Sequence, residues 1–227
     1  MTPPRIACIM LVDGREEMVK RARAAFRAQT ASSQHAIYEF PSTPWSPYGI
    51  PEMRNEAVGQ VIKHAPECTH IAHWDSDDWS HPNRLQFQAD AIMRRGCDIT
   101  GFNSMVFWDS RRQPNAARVY SAGHEGAIVG TSLVYSIEAW KRIPFQVVDG
   151  PNKGEGEDGR FVRAHRAAGS KIATYPGFDS QTEEPLMIAH IHGENTRSAY
   201  DTLKIAMAKE WRREPKYDQF CKERMTL

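Results

Sequence analysis

His70-Ile-Ala-His-Trp-Asp-Ser-Asp-Asp-Trp-Ser-His-Pro-Asn-Arg-Leu85 is the stretch on which the fold turns. It opens with an apolar run of strand length, His70 to Trp74, and Asp75, Asp77 and Asp78 follow directly. A helical pattern begins near Pro82. Carboxylates packed this tightly repel one another, and a hard divalent cation relieves the repulsion. At the carboxyl end of a strand they stand where open α/β sheets bind ligands. The same residues also suit an Asp-rich surface turn, with Ser80 or Asp78 near the cap of the next helix.

Outward from this stretch the first half alternates strand and helix. Residues 6–12 form a continuous apolar run, as in a strand buried on both faces. Residues 15–29 show helical spacing, with Met18, Ala22, Ala25 and Phe26 on one stripe. Residues 36–40 read as a strand, and the proline-rich 41–51 as a loop that cannot join a ladder. A helix over 52–64 and a strand over 69–74 come next. A helix over 82–95 with proline in its first turn and a strand over 98–107 follow. This βαβαβαβ succession predicts a mostly parallel sheet with helices on both faces.

The second half is less regular. Strands are expected over 117–121, 128–135, 171–175 and 186–191, with a turn at 111–115. Helices are expected over 137–142, 158–168 and, amphipathic, 199–213; Gly169 suits a helix stop. The Gly-, Asp- and Glu-rich 149–159 reads as a flexible or ligand-lining loop. No repeat or low-complexity linker interrupts the chain, so one domain over 1–227 is the simplest organisation.

Composition narrows the function. At 227 residues the chain can build one substantial core, and 41% apolar with 25% charged residues is ordinary for a soluble globular protein. A net charge of +1 gives no global pull toward nucleic acid or membrane. The basic clusters Lys20-Arg21-Arg23-Arg27, Arg94-Arg95, Arg111-Arg112 and Arg212-Arg213 read as solvated faces. No apolar run approaches the roughly 20 residues of a membrane span, and no N-terminal signal is evident, so a cytoplasmic location is expected. Cys8, Cys68, Cys97 and Cys221 lack CxxC spacing and read as reduced packing residues.

Three further segments carry chemistry. Glu157 and Asp158 fall at an expected helix start, where the dipole favours a carboxylate and where a general base is rigid on one side and open on the other. His190 and His192 share a face of an extended chain, and either can complete the coordination of a cation at Asp77 or serve structurally. Arg54 can pair with a phosphate through its guanidinium fork or lie on a helix surface. Trp45, Tyr48, Trp79, Trp108 and Trp140 suit a stacking platform or ordinary packing.

Taken in this order, these segments resemble the family 2 glycosyltransferases of the GT-A fold, from the first strand to about Thr196. The matching pieces are Gln29-Thr30 at a helix end, Arg54-Asn55 opening a helix, Asp75-Ser-Asp-Asp-Trp-Ser-His-Pro-Asn-Arg-Leu85, Glu157-Asp158 with Phe161, and His192 near Asn195-Thr196. The resemblance implies an α/β, GT-A-like, Rossmann-type, mostly parallel sheet flanked by helices in a single domain. Its nucleotide-binding half covers about 1–108, its acceptor half about 109–200, and a C-terminal helix about 199–213. It also implies metal-dependent, inverting transfer of a sugar from a nucleotide diphosphate to a hydroxyl acceptor. Asp77 is then the ligand of Mn²⁺ or Mg²⁺, Asp75 contacts ribose or the metal, and His192 or His190 is a further ligand. Arg54 orients the nucleotide, Asp158 removes the acceptor proton, and Glu157 positions it. Asp13 and Glu39 are both candidates for reading the base. The proline-rich loop at 45–51 departs from the family pattern, and the loop at 150–159 is expected to close over the donor. The acceptor stays open between a glycan, a protein and a modified DNA base. A sugar-1-phosphate nucleotidyltransferase is less well matched, because no glycine-rich, Arg-containing phosphate loop follows the first strand. A non-catalytic nucleotide- or metal-binding module is the remaining alternative.

Overall fold

The structure is a computed structural model that describes residues 3–12, 14–30, 35–41, 49–111, 115–122, 126–147, 156–192 and 210–225. Strand β1 (Ile6–Val12) runs parallel to β2 (His35–Pro41) on one side and to β3 (His70–His73) on the other. Its side chains alternate between two cores. Ile6, Cys8 and Met10 face one, Ala7 and Ile9 the other. That is why the run is apolar without alternation: both faces of the strand are covered.

The helices divide accordingly. On the first face, α1 (Glu16–Arg27) buries Val19, Ala22, Ala25 and Phe26, and α3 (Arg84–Arg95) adds Leu85, Ala89 and Ile92. Trp74 meets Phe26 edge-on there, with centroids 5.6 Å apart. On the second face, α2 (Ile50–His64) lays down Ala57, Val58 and Val61. Beside it lie α4 (Ile137–Arg142) and α5 (Glu157–Ala167), the latter burying Phe161 and Val162.

Past β3 the sheet continues through β7 (Val134–Ser136), β5 (Ile99–Asp109), β6 (Ala116–Ser121) and β10 (Trp211–Arg213). Strands β8 (Ile172–Pro176) and β9 (Met187–Ile191) pair parallel to β5, and β4 (Trp79–Ser80) pairs antiparallel to β9. Because β7 is antiparallel to both β3 and β5, the first four expected strands do run in one direction, with β7 inserted between the last two. One continuous sheet and its two faces make a single domain, as the sequence implies.

Several local expectations are corrected. Residues 128–135 are not one strand: Gly130–Ser132 is a 3₁₀ turn, tightened because the Ser132 hydroxyl donates to Val129 O and accepts from Phe102 N. The expected helix over 199–213 ends instead as β10, where Trp211 packs its ring on Phe107 and Tyr120 (centroids 4.7 and 5.0 Å) and Arg213 donates to Ala117 O; residues 199–209 lie outside the described part. Pro82 precedes α3 rather than opening it, and neither Ser80 nor Asp78 caps that helix. Arg21 is not solvated. It is buried, with one nitrogen on Met225 O (2.7 Å) and another on Asp77 O (2.6 Å). The sequence reading also missed β4 and the last helix α6 (Asp218–Met225), whose Cys221 and Met225 join the core cluster that holds Trp108 and Val119. All four cysteines are buried and unbridged. Among the described residues no helix is long and apolar enough to cross a membrane.

Candidate active site

The carboxyl end of β3 delivers Asp75, Asp77 and Asp78 into a turn closed by Asp78 N on Asp75 O (3.4 Å). Groups from several other elements hold that turn and its flanks. The Thr131 hydroxyl and the His190 backbone N–H both donate to the Asp78 carboxylate. Arg84, buried and stacked over Trp74, donates to His73 O (2.8 Å), Thr131 O (3.0 Å) and the Ser80 hydroxyl (2.9 Å). Gln29 donates to His81 O (2.8 Å) and accepts from Leu85 N (3.1 Å), so a side chain just past the end of α1 satisfies a first-turn donor of α3. Asp78 is thus an anchor. Burial, then the Asp77 and Asp75 charges, push its carboxyl well above the usual range.

Asp75 faces a buried arginine. Arg54 lies 3.8 Å from Asp75, 3.5 Å from Glu157 and 4.0 Å from Asp158. Burial opposes its charge, but Asp158, Asp75 and Glu157 hold it protonated. The next residue, Asn55, plays a different part. It bonds Phe145 N and O (3.0 and 2.8 Å) and the Trp140 indole (2.8 Å), fixing the segment between α4 and α5. Helix α5 is seated by Phe161, stacked on Phe145 with centroids 4.3 Å apart. Gly156, in the left-handed region at φ 66°, turns the chain into that helix. Asp158 is thereby brought to His73, whose Nδ1 is 3.4 Å from the carboxylate and 3.0 Å from Gly130 O. A side chain at Gly130 would strike the carboxylate, since an ideal Cβ there falls 1.8 Å from Asp158 Oδ2. Burial, then Glu157, raise the Asp158 carboxyl well above its ordinary value against the pull of Arg54. Burial, then Arg54, hold His73 neutral. Asp75 is raised as well, by burial opposed by Arg54.

On the other side of Asp75, Asp77 Oδ2 and His192 Nε2 stand 3.0 Å apart, and Arg15 contacts both, at 3.0 and 2.9 Å. Burial pushes Asp77 up, but His192 and Arg15 outweigh it and leave the carboxyl below its usual value. Of the two histidines, His192 is the one at Asp77. His190 bonds the Ser110 hydroxyl through Nε2 (2.7 Å), and burial lowers it to about 4. Among the described residues no three His, Cys, Asp or Glu side chains form a closed metal cage. The open pair nevertheless fits Mn²⁺ or Mg²⁺. A separation of 3.0 Å would suit two adjacent ligands of one ion with bonds of about 2.1 Å. A guanidinium against both atoms shows that the pocket accepts positive charge.

Of the residues singled out in the sequence, Arg54, Asp75, Glu157 and Asp158 meet in one cluster and Asp77 and His192 in another, with Asp75 feeling the charges of both. Glu39 lies outside both clusters, on β2, with its two oxygens on Arg23 (2.7 and 2.6 Å). Asp13, Trp45, Tyr48, Asn195, Thr196 and most of the loop at 150–159 lie outside the described residues. Trp79 and Trp108 are packed in the core and Trp140 is tied to Asn55. Sequence reasoning missed Arg15, His73, Gly130 and Thr131. Arg15 and His73 carried a usable signal, being charged or polar beside the carboxyl ends of β1 and β3, where open sheets bind ligands. Gly130 and Thr131 carried none.

No protein-family model matches the chain, and no curated protein matches it in sequence. The fold is that of the GT-A glycosyltransferases. Among solved structures, S. aureus TarS in complex with UDP-GlcNAc superposes with a TM-score of 0.61 at 14% identity, covering 86% of this chain and 61% of that one. A Drosophila β1,4-galactosyltransferase 7 variant, in complex with manganese, UDP-Gal and xylobiose, gives 0.56 at 12% identity, covering 90% and 80%. The chain thus spans about 60% of the TarS fragment, and the likeness is one of fold.

Proposed function

We propose that the chain is a metal-dependent, inverting glycosyltransferase that moves a sugar from a nucleotide diphosphate to a hydroxyl acceptor. The observation that carries this reading is the meeting of Asp158 and Glu157 with Asp75 around the buried Arg54, although about 80 residues of chain separate them. The UDP-sugars in the TarS and galactosyltransferase complexes, and the manganese in the latter, support a uridine diphosphate sugar as the donor class to test first.

In this reading Asp77 and His192 hold Mn²⁺ or Mg²⁺. A divalent ion bound there neutralises the charge that grows on a departing diphosphate. Asp75 contacts the ribose or the metal's water, and Arg54 keeps Asp75, Glu157 and Asp158 from repelling one another apart. Asp158 takes the proton of the attacking hydroxyl. Its raised pKa makes it a stronger base than an exposed aspartate, and contacts with Gly130, His73 and Arg54 leave its carboxylate one orientation. Direct displacement by an activated hydroxyl inverts the anomeric carbon.

Screening nucleotide sugars for metal-dependent release of nucleoside diphosphate, without acceptor, tests the reading before the acceptor is known. UDP-GlcNAc and UDP-Gal come first, and NMR of the sugar product reports the anomeric configuration. Release of pyrophosphate from a nucleoside triphosphate and a sugar 1-phosphate would mark nucleotidyl transfer instead. Failure to release nucleoside diphosphate from any donor with either ion would remove the proposal.

A further inference from the structure

Arg15 makes contacts that an ordinary surface ion pair does not explain. It occupies the position just before α1, where its backbone is not yet helical and its side chain makes no cap. Gly14, in the left-handed region at φ 87°, turns the chain out of β1 and into this position. The guanidinium reaches across to the acidic turn. Its Nη1 lies 3.0 Å from Asp77 Oδ2 and 2.9 Å from His192 Nε2, those two atoms are 3.0 Å from each other, and Nη2 lies 3.5 Å from the Ser76 hydroxyl.

This triangle constrains the protons. If His192 Nε2 carries hydrogen and donates it to Asp77, the approach of Arg15 sets two donors against each other. If Nε2 is unprotonated, Arg15 donates to both, and the imidazole lone pair and carboxylate oxygen converge on one positive group. The second arrangement satisfies both contacts of Arg15, whose charge offsets the repulsion between the imidazole lone pair and the carboxylate oxygen. It is also the arrangement a divalent cation requires: two acceptors aimed at one centre.

We infer that Arg15 is a displaceable counter-cation: it holds Asp77 and His192 together in the ion-free protein, competes with the divalent ion for the same two atoms, and is released when the ion enters with the donor. This rests on the proposed metal site and adds a property to it. Donor and ion are coupled, because an arginine freed from Asp77 is available to the donor's phosphates, whose geometry suits its fork. The ion alone must displace Arg15 with no phosphate to receive it. The ion with nucleoside diphosphate does not.

The test is Mn²⁺ binding to the full chain, followed by electron paramagnetic resonance and calorimetry, with and without UDP. Without UDP, Arg15→Gln should bind Mn²⁺ about tenfold more tightly than the unaltered protein, the scale of one charge-assisted hydrogen bond no longer broken. With saturating Mn²⁺, the same variant should bind UDP about tenfold more weakly. Arg15→Lys keeps a charge without the fork and should fall between the two, which preserves the reading if the glutamine variant does not fold. If the unaltered protein binds Mn²⁺ with UDP but the variants bind Mn²⁺ alone no more tightly than it does, the counter-cation role is overturned and the metal site stands. If no form binds Mn²⁺ under either condition, both fall.

Discussion

Asp77 and Asp158 are both aspartates removed from water with an arginine in contact, and their environments drive them in opposite directions. At Asp77, His192 and Arg15 outweigh burial and keep the carboxyl low, so it is an anion suited to hold a cation. At Asp158, burial and Glu157 outweigh Arg54 and raise it, so it is an avid proton acceptor. The difference lies in how the arginine's charge is shared. Arg15 serves one carboxylate and an imidazole, whereas Arg54 is divided among Asp75, Glu157 and Asp158 at 3.5–4.0 Å. One guanidinium spread over three carboxylates leaves Asp158, the farthest from it at 4.0 Å, under-compensated. Environments that push the pKa values of like residues apart are how a site assigns them distinct roles.

The comparison breaks most sharply at the proposed base. Asp158→Asn should lower kcat by about 10²–10⁴-fold while donor affinity in the presence of Mn²⁺ stays near that of the unaltered protein. A variant that turned over at full rate would assign proton removal elsewhere. The acid limb of the kcat profile should sit above the ordinary carboxylate range, because Asp158 must lose a proton held by burial and by Glu157. Arg54→Met removes the one group that pulls this carboxyl down and should shift the limb to still higher pH. A limb that moves to lower pH would contradict the assignment.

Gly130→Ala comes next. The new methyl would meet the Asp158 carboxylate, which must rotate or withdraw, and misplacing a reacting group by about 1 Å costs on the order of 10²-fold in rate. Metal and UDP affinity, read by calorimetry, should hardly change, because the Thr131 hydroxyl of the 3₁₀ turn bonds Asp78 and not the proposed ligand Asp77. Equal losses in rate and in UDP binding would show that the two halves are not separable in this way.

A smaller effect is expected behind Asp77. Arg21 links the Asp77 carbonyl to the end of α6, so Arg21→Met should loosen the acidic turn without removing a ligand. Outer contacts of this kind are typically worth about 10- to 100-fold in metal affinity, and a value of about tenfold at the lower end is expected for a backbone contact. UDP titrations at fixed Mn²⁺ would register it, with turnover at saturation nearly unchanged.

How much of this was legible in the sequence follows from which contacts are local. β1, α1, α2, β3 and α4 are set by short-range periodicity, and the expected boundaries agree with the observed ones to within a few residues. Acidic pairs next to strand or helix ends marked Asp75, Asp77, Glu157 and Asp158 because their types and positions are chemical signals in themselves. The Gln29-Thr30 pair and Asn55 were legible only as matches. Their separate roles, Gln29 on the first turn of α3 and Asn55 on the chain before α5, come from contacts across 56 and 90 positions. Residues 128–135 misled for the same reason: the apolar run fits a strand, but Gly130, Thr131 and Ser132 answer to His73, Asp78 and Phe102. The short β10 likewise owes its form to the edge of β6, which no local pattern announces.

The mildest prediction concerns stability, and it probes the opposite tuning with no substrate present. In the window from the ordinary carboxylate value up to the raised value of Asp158, the folded chain keeps a proton that the unfolded chain releases, so this group's contribution to stability falls as pH rises. Asp77 works the other way. Its folded pKa is depressed, so its contribution is complete above the ordinary carboxylate value and is lost as pH falls through the lowered one. Denaturant unfolding of the metal-free protein across a pH series, with Asp158→Asn and Asp77→Asn as comparisons, separates them, because differences from the unaltered protein cancel every other titrating group. Asp158→Asn should gain on the unaltered protein as pH climbs above the usual carboxylate range, whereas Asp77→Asn should lose ground on it as pH climbs from below that range. Two difference curves sloping the same way would mean that the arginines do not distinguish these aspartates, and the division of labour between metal ligand and base would lose its electrostatic foundation.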